Sequence, residues 1–469
     1  MRSTCKDAVI TADTPAAPPR WALLQRQLID AQARACKEYF AHYFDERGYQ
    51  KMVPRWGGDD GPDDAAENLL NWPMLHALGA PDHVLDLYKL GWEGHLRQYT
   101  EAKTVQCSLA RDGMYYKEFP VMFDWFHTGE GLNAFVLAGL SDPFDRDYVT
   151  RTRRYAGFYM NEDPQAPNYD PKHRIIRSMF NGSRGPLMRP ATGLDWAGDP
   201  IEVEGRFSLR HSERTFQEML DHFKDYNDIV GDNPLNLGAT TLAFNAYALT
   251  GESKYRDWLL EYVDAWVERT EANGGIVPSN IGLDGTIGGT AGGKWYGGVY
   301  GWGFTVTVPG TGALAHRPHF YHRAHYGFGN ALLITGNRRY AEVWKRTIEI
   351  VNSQARVVDG QTLYPRMYGD QGWYDFRPGP FEWGALESWY WTLDDDFIRA
   401  YPKSGWLAFL AGESPDHPEQ ALAKDLDSVR RYVEVMRADT TSADTRLSDE
   451  SHGYNPVIIE NLNRLMLGG

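Results

Sequence analysis

Residues 245–255 read N-A-Y-A-L-T-G-E-S-K-Y, and residues 330–340 read N-A-L-L-I-T-G-N-R-R-Y. The shared Asn-Ala, Thr-Gly and Tyr fall at one constant offset, and each copy is followed by apolar residues at helical spacing. Glycine after an apolar helical run is a helix stop, because it enters the left-handed conformation without a Cβ penalty. Each copy therefore predicts a helix, a Gly turn and a second helix. Asn133-Ala134 opens a similar unit in G-L-N-A-F-V-L-A-G-L, and L-A-F-L-A-G-E around Gly412 repeats its close. The repeat predicts a chain of helical hairpins.

Outward from these copies the pattern continues. Leu23, Leu24, Leu28, Ala31 and Ala35 predict a first amphipathic helix from Trp21 to Phe44, and further helices are expected from Asp82 to Ala102 and from Pro456 to Leu467. With hairpins near residues 64–102 and 382–437 the count reaches five or six, spaced irregularly by loops of differing length. Such variation fits a closed toroid better than a uniform solenoid. The fold class expected is all-α, an (α/α)6-type toroid, as one catalytic domain over residues 20–469 behind a flexible lead-in at 1–19. Strand-like runs are sparse, the clearest being F-T-V-T-V near Thr305. Residues 161–210 are Pro/Gly/Arg-rich with weak periodicity, which predicts a lid-like insertion in which Arg174, Arg177, Arg184 and Arg189 bind carboxylate or sulfate.

Composition narrows the function classes. A formal charge of −15 with no Lys/Arg run argues against nucleic acid as a partner. No window is long and apolar enough to span a bilayer, so no membrane partner is expected. The amino terminus shows no signal peptide, so a cytoplasmic location is expected, although a secreted chain with its leader removed reads identically. Cys5, Cys36 and Cys107 are too few and scattered for a disulfide framework. Aromatic residues reach 13%, many beside Gly, Pro or charged residues, and sugar rings stack on such faces. A carbohydrate is the expected partner, and the oligomeric state is left open.

The stretch from Gly288 to Asn330 is the densest candidate for binding. Its glycines bring backbone close to a ligand, and Trp295, Tyr296, Tyr300 and Trp302 offer flat faces. Pro318 suits a helix start, placing His322, His325 and Tyr326 on one face beside Arg323. These histidines also suit helix capping or core positions. His316, His319, His322 and His325 invite a metal, but no short zinc signature is present, so neither metal nor cofactor is expected. Elsewhere, Asp59, Asp60, Glu67 and Asn68 lie around an acidic Gly-rich loop, where Asp63 and Asp64 also suit a helix cap. Asp124, His127 and Glu130 cluster at another helix start, with Thr128 as an alternative cap. Glu382 sits among Trp383, Trp389 and Trp391, whose apolar surface would favour a protonated carboxyl.

The recurrent T-G-x-x-x-Y turn, the aromatic-rich loops and N-G-G-I-V-P-S-N at 273–280 together resemble the six-hairpin glycosidase-like (α/α) toroids. That superfamily includes unsaturated-uronyl hydrolases, glucoamylase-like enzymes and sugar epimerases. The resemblance covers architecture across most of the chain and carries no family signature, so it transfers no catalytic residue. It implies that inner-helix starts meet at a cleft, with Asn68, His127, Asn236, His325 and Glu382 around one rim.

Hydrolysis of a glycan containing anionic uronic acid sugars is the activity expected first, with Glu382 or Glu130 as acid and Asp124, Asp59 or Asp60 as base. A polysaccharide lyase using His322, His325, Tyr326, Arg323, His127 and Asn236 is the alternative. A sugar epimerase or isomerase and a non-catalytic glycan-binding protein are further alternatives.

Overall fold

The structure is a computed structural model, and it describes residues 16–57, 61–104, 107–197, 215, 217, 229–298, 301–302, 305–307, 314–316, 324–399 and 403–467. The helices are α1 (Arg20–Tyr43), α2 (Pro62–Glu67), α3 (Trp72–Ala77), α4 (His83–Glu101), α5 (Trp125–Leu137), α6 (Arg146–Gly157), α7 (Gly193–Ala197) and α8 (Thr240–Thr250). They continue as α9 (Ser253–Ala272), α10 (Ala324–Thr335), α11 (Arg339–Asn352), α12 (Ala385–Thr392), α13 (Gly405–Leu410), α14 (His417–Ala438), α15 (Ser448–His452) and α16 (Glu460–Leu467).

Helices alternate between two concentric walls. The outer wall holds α1, α4, α6, α9, α11 and α14; the inner wall holds α2, α5, the 3-10 turn Pro234–Ala239 leading into α8, then α10, α12 and the α15–α16 pair. Inner neighbours touch in sequence, α2 to α5, α5 to the 234–239 turn, that turn to α10, and α10 to α12. The ring closes where α15 returns to α2 and where α1 packs on both α14 and α4. This is the (α/α)6-type toroid that the hairpin pattern predicts.

Each outer helix buries one stripe. On α1 the buried residues Leu28, Gln32, Ala35, Cys36, Tyr39 and Tyr43 recur every three or four positions, and on α9 Tyr255, Leu259, Tyr262, Trp266 and Thr270 do the same. At ~1.5–3 kcal/mol for each fully buried large apolar side chain, these stripes hold the outer wall on the inner one.

The repeated turn has one geometry. Thr250 Oγ1 donates to the Ala246 carbonyl at 2.7 Å and accepts from Glu252 N at 3.2 Å, around Gly251 at φ 69°. Thr335 Oγ1 repeats this with Ala331 at 2.7 Å and Asn337 N at 3.1 Å, around Gly336 at φ 67°. A third copy follows α12: Thr392 Oγ1 donates to Ser388 at 2.7 Å and accepts from Asp394 N at 3.2 Å. Here Leu393 occupies the left-handed position at φ 54°, and Phe397 is buried where the other copies bury Tyr255 and Tyr340.

Two regions depart from expectation. Residues Arg356–Val358, Gln361–Gly369 and Gly372–Pro378 form a three-stranded antiparallel sheet that the sparse-strand reading misses. Asp359-Gly360, both at positive φ, makes its first tight turn. Residues 161–197 are fastened to the ring: buried Asn168 donates to the Phe158 and Gly182 carbonyls at 3.0 and 2.8 Å. The arginines there are engaged, Arg174 by Glu268, Arg189 by Asp195, Arg177 by the Pro167 carbonyl and Arg184 over the Tyr116 ring. Residues 198–210 of the expected lid and residues 1–15 of the lead-in lie outside the described residues.

Candidate active site

Two inner-helix starts converge on one ion pair. Asp124 precedes α5, and its Oδ1 accepts from the backbone N–H groups of Phe126 and His127 at 2.8 and 3.1 Å. The same carboxylate meets His127 Nδ1, 2.9 Å from Oδ2. Asp124 is fully buried. Burial alone would raise its pKa, but the His127 charge and the donated hydrogen bonds hold it below the usual carboxylate range. For His127 burial works against the charge, yet the Asp124 carboxylate, with help from Asp63 and Glu130, holds the imidazole pKa above its ordinary value. The result is an imidazolium on a buried carboxylate, one fifth of its side chain reaching solvent.

The third member comes from α2. Asp63 is buried, and its Oδ1 has no hydrogen-bond partner among the described residues. Burial, followed by the nearby charges of Glu130 and Asp124, raises its pKa against the opposing pull of His127. Its place depends on glycines. A Cβ on Gly131 would fall 3.0 Å from the Asp63 Cα, and one on Gly61 would fall 2.6 Å from Asp63 Oδ1. Gly131 is four residues after His127, so both occupy the α5 face that meets α2. The plain capping role expected of Asp63 is therefore incomplete; sequence reasoning missed its tie to His127.

A buried amide network positions the start of α5. Trp125 Nε1 donates to Asn181 Oδ1 at 3.2 Å, Asn181 Nδ2 to Asn236 Oδ1 at 3.0 Å, and Asn236 Nδ2 to Asp232 Oδ1 at 2.9 Å. Tyr262 OH also donates to Asp232, whose carboxyl burial pushes up to about 6. Asn236 is thus spent within the wall and does not face a cleft. Asn68 is likewise a wall residue: its Oδ1 accepts from Tyr39 and Ser451, and its Nδ2 donates to the Asp64 and Ser448 carbonyls. It fastens the seam of the ring.

A second imidazole stands at the start of α10. His325 is buried among aromatic rings, with centroids 4.3 Å from Tyr326, 5.7 Å from Trp344 and 6.2 Å from Trp391. Gly384 makes room for it, since a Cβ there would fall 2.8 Å from both His325 Cγ and Trp344 Nε1. Glu382 and Trp383 lie in the adjoining turn and are exposed, so the apolar enclosure expected around Glu382 is not formed.

The aromatic floor divides in two. Trp302 is fully buried, meeting Trp373 edge-on, and is core rather than binding surface. Trp295 and Tyr296 are half-buried beside Tyr368 of the three-stranded sheet, with Tyr296 OH on Asp370. Asp59, Asp60, Tyr300, His319, His322 and Arg323 lie outside the described residues, and of His316 only the backbone is described. One further cluster has metal-ligand spacing, Asp64, Glu67 and His452 at the seam of α2 and α15.

A model of the family described as Domain of unknown function (DUF8034) matches residues 9–364 and 399–463. The chain belongs to that family. No curated protein matches this DUF8034 member in sequence. Among solved structures it is similar to a cellobiose 2-epimerase from Bacillus thermoamylovorans B4167, at 9% identity and TM-score 0.42 over 80% of this chain and 85% of the other. A D-mannose isomerase matches at 11% identity and TM-score 0.44 over 96% and 100%, and a β-1,3-1,4-glucanase from Paenibacillus sp. X4 at 11% and 0.36 over 93% and 93%. At such identities and TM-scores these likenesses carry no chemistry to the DUF8034 chain.

Proposed function

We propose that this protein is a sugar-active enzyme that transfers protons on a carbohydrate without cutting it, as an aldose–ketose isomerase or epimerase. The observation that carries the reading is the Asp124–His127 ion pair at an inner-helix start. A base removes the proton beside the sugar carbonyl while His127 gives a proton to the carbonyl oxygen, forming an enediol. Return of a proton to the neighbouring carbon isomerises the sugar, and return to the opposite face of the same carbon epimerises it. The step is redox-neutral. A cation fixed by a buried carboxylate is suited to the oxygen that gains negative charge. His325, with Tyr326 beside it, is a second imidazole at another inner-helix start, but its ring is buried among aromatic side chains.

The first expectation, hydrolysis by a carboxylate pair, has less support. Asp124 is buried and already accepts from two backbone N–H groups and His127, and Glu382 is exposed. Hydrolysis stays a second reading because Asp63 and Glu130 are carboxyl groups within electrostatic reach of His127. Uronate specificity has little support, since Arg174 and Arg189 are taken by Glu268 and Asp195. Incubation with neutral aldoses, disaccharides and uronate-containing glycans, followed by chromatography, tests the proposal. A new isomer of unchanged chain length is expected. Shorter chains would establish hydrolysis, and shorter chains with new ultraviolet absorbance would establish elimination.

A further inference from the structure

We infer that the seam closing the ring is a binding site for a divalent transition-metal ion, held by Asp64, Glu67 and His452. One oxygen from each carboxylate and one ring nitrogen of the histidine lie within 4.8 Å of one another. Ligand atoms each about 2.0–2.2 Å from a common ion fall within such a separation. Asp64 and Glu67 are three apart on α2 and so share a face, while His452 ends α15, giving ligands from two elements. His452 Nδ1 is 3.8 Å from Glu67 Oε2. His452 Nε2, the other ring nitrogen, is shielded from solvent and has no hydrogen-bond partner among the described residues, so no protein group competes for it.

The backbone under these ligands is fixed from both sides. Asn68 Nδ2 donates to the Asp64 carbonyl at 2.9 Å and to the Ser448 carbonyl at 3.2 Å, tying α2 to the start of α15. Asn455 Nδ2 donates to the Glu67 and Leu70 carbonyls at 3.1 and 3.2 Å, and Asn455 Oδ1 accepts from Trp72 Nε1 at 3.0 Å. Such support holds ligand-bearing elements in place without the metal. An open cavity of about 540 Å³, lined by Glu67, His452, Asn455 and Glu460, gives an ion a path in. One imidazole with two carboxylates suits manganese, zinc or ferrous iron better than calcium or magnesium, which take all-oxygen sets. In the sequence only the histidines between 316 and 325 stand together as metal candidates, because Glu67 and His452 are far apart along the chain.

The test uses the full chain, stripped with a chelator and titrated with Co²⁺ followed by visible absorption, then with Zn²⁺ and Mn²⁺ by calorimetry. One equivalent is expected to bind, and the thermal midpoint to rise with the metal. His452→Ala and Glu67→Gln, each shown to be folded by circular dichroism, are expected to weaken binding by at least about 10-fold and to lose the midpoint shift. Should His452→Ala fail to fold, Glu67→Gln with the wild-type midpoint shift decides. Absence of a bound equivalent, or binding unchanged in the folded variants, would overturn the site.

Discussion

Gly131 lies one helical turn beyond His127 on α5, and a Cβ there would fall 3.0 Å from the Asp63 Cα. The approach of α2 to α5 that brings a buried carboxyl within electrostatic reach of the imidazolium thus depends on a missing side chain. Gly131→Ala must push the helices apart, because the obstructing atom is backbone and cannot rotate away. Overpacking of this kind costs ~1–3 kcal/mol, to be read from chemical denaturation. A variant as stable as the wild type would show that the helices have slack.

Asp124→Asn removes the charge that keeps His127 protonated. The His127 pKa is raised on folding, so its contribution to stability is full below the ordinary imidazole value of about 6.5 and is lost as pH rises through the folded value. The Asp124 pKa is depressed, so its contribution is present above about 3.9 and is lost as pH falls through the folded value. The pair therefore stabilises the neutral range. NMR titration of His127 should show it charged above pH 7 in the wild type and titrating lower in Asp124→Asn. The substitution should cost on the order of 3 kcal/mol near neutrality. An unmoved titration would mean that Asp124 does not govern this histidine.

Leu393 stands at φ 54° with 73% of its surface exposed, in the position that Gly251 and Gly336 fill in the other turns. A left-handed leucine is strained by ~1–2 kcal/mol, which exceeds the ~0.5–1 kcal/mol of chain entropy that a glycine adds to the unfolded state. Leu393→Gly should therefore stabilise the protein slightly, by up to about 1 kcal/mol, and Gly251→Ala should do the reverse. Thermal melts of both variants compare the turns directly; a loss of stability in Leu393→Gly would contradict their equivalence.

Trp302 and Trp295 should separate on mutation. Truncating fully buried Trp302 to alanine is expected to cost ~3–5 kcal/mol. Half-buried Trp295, packed on Tyr368 at 4.9 Å between centroids, should cost less. Equal losses in urea melts would mean that both belong to the core.

What could be read from the sequence was local. Thr, Gly and Tyr at fixed spacing predict the hairpin turn because all three act within one turn and the next helix. The copy at 392–397 escaped because Leu393 and Phe397 keep the geometry while changing the letters. Asp359-Gly360 was the available sign of the missed sheet, flanked by R-V-V and Q-T-L-Y. Asp124, His127 and Glu130 came together in the sequence because one helix start carries them all. Asp63 joined them only through contact between two helices, which depends on Gly131 having no Cβ. The resemblance to (α/α) toroids implies a rim position for Asn68 and Asn236, because in such toroids the inner-helix starts face a cleft. The Asn68 amide fastens neighbouring helices and the Asn236 amide fastens the segments around Ser178, Asn181 and Asp232, and a helix start alone does not say which way its side chains turn. The distance along the chain between Glu67 and His452 hid their meeting in the same way.

The most direct test of the central claim is solvent deuterium exchange into sugar. The protein in D₂O, with each active sugar from the panel, should place deuterium on the carbon beside the carbonyl while chain length stays constant. His127→Asn, folded by circular dichroism, should lose that exchange. Release of new reducing ends without deuterium on carbon, or full exchange in His127→Asn, would contradict proton transfer by this residue.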